Sequence, residues 1–122
     1  MSGPVTGLDH VQVVAPAGCE ADASRFYGEL LGLPEIPKAA GVAGSGGAWF
    51  TCGAQQLHVG VQDPFVPAGK AHPALKVAEG ELDALAERLQ RAGVQVDWDT
   101  RIAERRRFYA LDPWGNRIEL TA

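Results

Sequence analysis

Three histidines and one glutamate stand out in this chain of 122 residues: His10, His58, His72 and Glu119. Each opens or interrupts a short apolar run. In a strand, alternate side chains face the same side. If Val11 and Val13 pack inward, His10 and Gln12 face the opposite way. The same count sets Gln56, His58 and Gly60 apart from Leu57, Val59 and Val61. It sets His72 and Ala74 apart from Leu75 and Val77, and Arg117 and Glu119 apart from Ile118 and Leu120. Imidazoles grouped with a carboxylate are the donors a divalent transition metal takes. Two histidines and one carboxylate suit Fe(II) or Mn(II), and a further imidazole is compatible with Zn, Ni or Co. Strands fix ligand directions while leaving coordination positions open for substrate or water. One feature weighs against the pattern: Pro73 follows His72, and a proline there belongs at a strand start or on an edge.

The elements that must position these residues follow from periodicity. Leu8–Val14 reads as a strand, bounded by Gly7 and Pro16. A helix is predicted over Ala21–Leu31, with Ala23, Phe26, Tyr27, Leu30 and Leu31 on one face and Gly32 at its C-terminal stop. After the prolines at 34 and 37, Ala48–Cys52 and Gln56–Val61 form strands joined by a Gly53-Ala54 turn. The segment DPFVPAGKA reads as a connector, and then the order of elements begins again. His72–Val77 is a strand, and Glu81–Ala92 is a helix with Leu82, Leu85, Ala86 and Leu89 inward and Gly93 at its end. Val94, Val96 and Trp98 alternate as a strand, Arg106–Leu111 follows, and DPWGN turns into Arg117–Leu120. His10 and His72 lie 62 residues apart, Gly32 and Gly93 61, and His58 and Glu119 61. Spacing this regular points to a duplicated supersecondary unit.

Composition bounds the function classes. The length is that of one domain, able to bury about two-thirds of its unfolded surface. A net charge of −4 disfavours nucleic acid or an anionic membrane as partner. The N-terminal residues MSGPVTGLDH show neither the basic nor the apolar part of a signal peptide. Residues 39–62 carry no Asp, Glu, Lys or Arg, yet their six glycines, three glutamines and His58 are too polar for a bilayer span. Cys19 and Cys52 have no zinc-type spacing. A cytoplasmic protein with reduced thiols is the expectation.

Several stretches together resemble the vicinal oxygen chelate superfamily, which includes glyoxalase I, the fosfomycin- and bleomycin-resistance proteins and the extradiol dioxygenases. They are LDHVQV, RFYGELLGL, GAWFTCG with LHVGV, AHPALKV and FYALDPWGNRIEL, the last being the most specific. The resemblance covers nearly the whole chain. It implies an α+β fold: a single domain over 1–122 whose two βαβββ modules, about 5–62 and 70–122, curve into a cup around a divalent metal. His10, His72 and Glu119 match the usual ligands of the first, fifth and eighth strands. His58 matches a fourth-strand position that is a glutamate in glyoxalase I and a non-ligand in several other branches.

By the same matching, Gln12, Trp49 and Tyr109 line the cavity and touch substrate, and Arg107, which shares the parity of Tyr109, offers a site for an anionic group. The glycine-rich AGVAGSGG lacks the Gly-Lys-Ser/Thr ending of a phosphate loop and is expected to be a mobile flap over the cup. Thr100–Arg106 lacks the serine- and glycine-bearing potassium loop of the fosfomycin enzymes, which argues against that activity. The chain is also shorter than typical glyoxalase I. Two function classes follow from the resemblance. In one, a metal-dependent lyase, isomerase or dioxygenase acts on a small oxygen-bearing substrate, with any base coming from a ligand that detaches, Glu119 or His58. In the other, the cup sequesters a drug without catalysis, as bleomycin-resistance proteins do. The ligand set favours the enzyme, and the resemblance implies a homodimer.

Overall fold

The computed structural model describes residues 3–122; the first two residues of the expected 1–122 domain lie outside the described residues. The chain forms two compact units, the first ending at Phe65 and the second spanning Val66–Ala122. The boundary falls inside the DPFVPAGKA connector.

The first unit contains β1 (His10–Ala15), a helix, β2 (Glu35–Ile36), β3 (Ala48–Cys52) and β4 (Gln55–Val61) in a four-stranded sheet of order β1-β4-β3-β2. β1 and β4 are parallel, and the β2–β3 and β3–β4 pairs are antiparallel. Val13, Ala15, Ala48, Phe50, Leu57 and Val59 point into the core, where Ala23, Phe26 and Tyr27 of the helix meet them. The Tyr27 and Phe50 ring centroids are 5.9 Å apart.

The helix departs from the sequence expectation. It is α-helical only over Glu20–Ala23 (α1) and continues in wider π turns over Ser24–Leu30, seen in the bond from Leu31 N–H to the Phe26 carbonyl at 3.0 Å. The adjacent aromatic residues Phe26 and Tyr27 are both buried, and the wider turn lets both face the sheet. The glycine-rich stretch forms a 3₁₀ helix over Ala40–Ser45. It is tied at its exit by Lys38, which donates to Ser45 Oγ and to the Gly46 carbonyl, and by Gly47 N–H, which donates to Glu20.

The second unit repeats the plan with β5 (Ala74–Lys76), α2 (Leu82–Arg91), β6 (Val96–Asp99), β7 (Arg107–Leu111) and β8 (Arg117–Thr121), in the order β5-β8-β7-β6. β5 and β8 are parallel and the other pairs antiparallel. α2 buries Leu82, Leu85, Ala86 and Leu89, the face its periodicity predicts, against Phe108, Ala110, Ile118 and Leu120. Asp83 in its first turn and Arg88 and Arg91 in its last suit the helix dipole. Gly32 and Gly93 both end their helices at positive φ, 78° and 83°, a conformation that costs glycine little.

β5 is shorter than the predicted His72–Val77. His72 and Pro73 precede it, because Pro73 has no N–H to give a ladder. Its carbonyl still accepts from Glu119 N–H at 3.0 Å, which keeps His72 beside the last strand. The two four-stranded mixed sheets with few helices form the expected α+β fold. Among the described residues, no helix is long and apolar enough to cross a membrane.

Candidate metal-binding site

In the first unit, strand register puts Gln12, His58 and Trp49 in one row across β1, β4 and β3, with His10 and Gln56 paired in the next. The rings meet as the parity requires. His58 lies between Trp49, at 3.9 Å and 1° between planes, and His10, at 4.3 Å and 21°. His58 Nε2 donates to Gln56 Oε1 at 2.8 Å. Burial, and next the neighbouring His10, push the pKa of His58 below its ordinary value. His10 is the exposed member. Its Nδ1 donates to Asp9 Oδ2 at 2.8 Å, which leaves the Nε2 lone pair for another partner. Gln12 lies beside Gly60, where any β-carbon would come within 2.8 Å of its carboxamide nitrogen. A side chain at position 60 would therefore displace the amide.

In the second unit, the last strand depends on the turn from Asp112 to Asn116. Asp112 is buried, and its Oδ1 accepts from the backbone N–H groups of Trp114 (3.0 Å) and Asn116 (2.8 Å). Its Oδ2 accepts from Asn116 Nδ2 at 2.8 Å. This fixes the exit direction of β8, so that Ile118 and Leu120 enter the core and Glu119 faces the other side in register with Tyr109 and Ala74. Glu119 is only 4% exposed.

His72 Nε2 stands 3.0 Å from Glu119 Oε1, while His72 Nδ1 is 2.9 Å from the Lys70 carbonyl. A carbonyl only accepts, so Nδ1 carries the hydrogen and Nε2 of a neutral ring presents its lone pair to a carboxylate. Two acceptors at that distance call for a cation: a proton on the ring, or a metal ion shared by both. Divalent ions take imidazole nitrogen and carboxylate oxygen at about 2.0–2.2 Å, and adjacent ligands on such an ion stand about 3 Å apart. The donor pair fits a metal.

Tyr109 meets His72 edge to face, with ring centroids 5.3 Å apart, and Arg117 lies over its ring at 5.0 Å. A cavity of about 500 Å³ opens beside Tyr109, lined also by Asp97, Asp99, Arg101 and Arg117. Arg107, expected to offer a site for an anionic group, is engaged with two carboxylates of its own sheet. It is 12% exposed and donates to Glu119 Oε2 (3.4 Å) and Asp99 Oδ2 (3.3 Å). Asp99 in turn accepts from the Arg101 side chain and backbone N–H. The Arg101 guanidinium, and then that backbone N–H, hold the Asp99 carboxyl far below the usual carboxylate range.

Each unit thus brings its own pair together: His10 with His58, and His72 with Glu119. Among the described residues, no three His, Cys, Asp or Glu side chains converge within either unit. Sequence reasoning missed Asp9, Asp99 and Arg101, which fix the orientation of site residues. The only signal was their charge, which many surface residues share.

The family model for the Glyoxalase/Bleomycin resistance protein/Dioxygenase superfamily matches residues 7–120. Over 100 residues the chain is 34% identical to Glutathione transferase FosA from Serratia marcescens, covering 78% of this chain and 67% of that protein. A glyoxalase family protein from Bacillus anthracis is 45% identical in its crystal structure, with a TM-score of 0.93 over 99% of this chain and 98% of that one. A point mutant of the fosfomycin resistance protein FosX from Listeria monocytogenes, in complex with Mn(II) and dihydroxypropylphosphonic acid, shares the fold at 21% identity. Its TM-score is 0.79 over 97% of this chain and 92% of that one. A family match across nearly the whole sequence, a curated relative and a near-complete structural match agree: the chain belongs to the Glyoxalase/Bleomycin resistance protein/Dioxygenase superfamily.

Proposed function

We propose that this protein is a divalent-metal-dependent enzyme of its superfamily, acting as a lyase, isomerase or dioxygenase on a small oxygen-bearing substrate. His10, His72 and Glu119 would hold the metal. The observation that carries the reading is the pair of facing acceptors, His72 Nε2 and Glu119 Oε1, 3.0 Å apart with the ring nitrogen behind them committed to a carbonyl. His10, its Nδ1 committed to Asp9, offers a matching free nitrogen. His58, covered on both faces and bonded through Nε2 to Gln56, is assigned to orienting His10.

The metal, when bound, supplies Lewis-acid stabilisation of a developing oxyanion. The chain's own residues do the rest. Trp49 and Tyr109 present ring surface to the substrate, Gln12 offers amide hydrogen bonds, and Arg117 and Arg101 border the cavity beside Tyr109. The active form is taken to be a homodimer, as the resemblance implies. Epoxides belong among the substrates to screen, although residues 100–106 lack the potassium loop expected of the fosfomycin enzymes. Hemithioacetals and catechols complete the screen.

The test is metal analysis of purified protein supplied with Mn(II), Fe(II), Co(II), Ni(II) or Zn(II), beside His72→Ala and Glu119→Ala. The expected result is about one metal per chain in the wild type and a loss of at least about tenfold in affinity in each variant. Wild-type protein that takes up none of these ions would remove the enzyme reading in favour of a metal-free binding protein. A monomeric mass for the metal-loaded protein would remove the dimer.

A further inference from the structure

The strongest unexplained feature is an unbroken line of charged side chains across the second sheet. Arg101 Nη2 donates to Asp99 Oδ2 at 2.6 Å. Arg107 Nη2 donates to the same oxygen at 3.3 Å, and Arg107 Nη1 to Glu119 Oε2 at 3.4 Å. Glu119 Oε1 then faces His72 Nε2 at 3.0 Å. Apart from Arg101, these side chains are mostly withdrawn from water: Asp99 is 8% exposed, Arg107 12% and Glu119 5%. The register explains how they meet, since Asp99 pairs with Arg107 across β6 and β7, and Arg107 with Thr121, two residues beyond Glu119 on β8.

A buried ion pair is often no more stabilising than apolar residues of the same volume. This one also leaves Arg107 Nε buried without a hydrogen-bond partner, a cost that calls for an explanation. The two oxygens of Glu119 are divided by this arrangement: Oε2 is turned to the guanidinium and Oε1 to His72. A planar fork held at its other end by Asp99 fixes that division more firmly than a flexible ammonium would.

Resting on the reading of Glu119 as a metal ligand, we infer that Arg107, anchored by Asp99 and Arg101, is a positioning residue that presents Glu119 to the metal through Oε1 alone. Loss of Arg107 should weaken metal binding by about ten- to a hundredfold, as loss of an outer partner of a metal ligand generally does. It should also change the coordination that the metal adopts.

The experiment is titration of the full-length protein with Co(II), followed both by calorimetry and by the visible ligand-field bands of the bound ion. Arg107→Met should lose about ten- to a hundredfold in affinity and show altered bands. Arg107→Lys, which restores the charge without the fork, should recover less than half of that loss on a logarithmic scale and keep the altered bands. Wild-type affinity and bands in Arg107→Met would overturn the inference, as would tighter binding, which would mean that Arg107 only competes with the metal for the charge of Glu119. Full recovery by Arg107→Lys would overturn it too. Should Arg107→Met fail to fold, Asp99→Asn decides, with an affinity loss of about three- to tenfold and altered bands expected, and wild-type behaviour overturning the inference. Failure of wild-type protein to bind Co(II), Mn(II), Fe(II), Ni(II) or Zn(II) would instead overturn the metal reading itself, and this inference with it.

Discussion

The two units share a topology, a strand order and a facing pattern, yet they hold their polar residues by different physics. In the first unit the polar row is held by contact between ring faces, Trp49 on His58 on His10, with Gln56 fixing one nitrogen. In the second, the row is held by charge, from Arg101 through Asp99 and Arg107 to Glu119. Stacked rings tolerate salt and depend on shape. A line of ions, buried except at Arg101, depends on every member being present. A duplicated scaffold can therefore preserve where a side chain points while replacing what holds it there.

The largest effect should come from breaking the charged row. Glu119→Ala leaves Arg107 buried with Asp99 alone and should cost about 3 kcal/mol in urea unfolding, while Glu119→Gln, which keeps the shape, should cost about 1 kcal/mol. A cost near zero for both variants would mean that the row carries no such dependence.

Next comes the stacked row. Trp49→Leu removes one face of the stack and should cost about 1 kcal/mol beyond the lost area. His58→Gln should leave metal affinity within about tenfold of wild type in calorimetry. Its complete loss would make His58 a ligand, and the two units would then be chemically more alike than proposed.

Acid should separate the rows more gently. The folded pKa of His58 is depressed, so in metal-free protein the unfolded state binds the extra proton, and stability falls as pH drops below about 6.5. The folded pKa of Asp99 is also depressed, so its contribution is present above its ordinary 3.8 and is lost only as pH falls below that value. Melting temperatures in chelator should show the Asp99→Asn difference shrinking only below about pH 3.8. The His58→Gln protein should lack the decline that begins near pH 6.5. A shared onset would erase the distinction.

What could be read from the sequence was the part governed by short periods. Alternation placed His10, Gln12, His58, Glu119 and Tyr109 on their faces, and the 3.6-residue period picked out the buried face of α2 residue for residue. The rest depended on register, which a linear reading does not contain. Asp99 and Arg107 are eight residues apart in the chain and meet only because β6 and β7 pair them. The stacking of His58 between two rings needs β1, β4 and β3 at once. The shortened β5 was signalled by Pro73. The π turns after Ala23 had no signal beyond two consecutive aromatic residues.

The five residues from Asp112 to Asn116 set a constraint on how this chain can vary. A buried carboxylate there gathers two backbone N–H groups and a side-chain amide into a turn of fixed length. Strand parity is a two-state count, so deleting one residue from that turn would not shift Glu119 slightly. It would drive the carboxylate into the apolar layer and expel Ile118 and Leu120. Although it lies between two strands, where insertions are usually absorbed, this loop should reject changes of length while tolerating changes of identity at Pro113. Libraries built to alter the activity of this scaffold should vary its letters and keep its count.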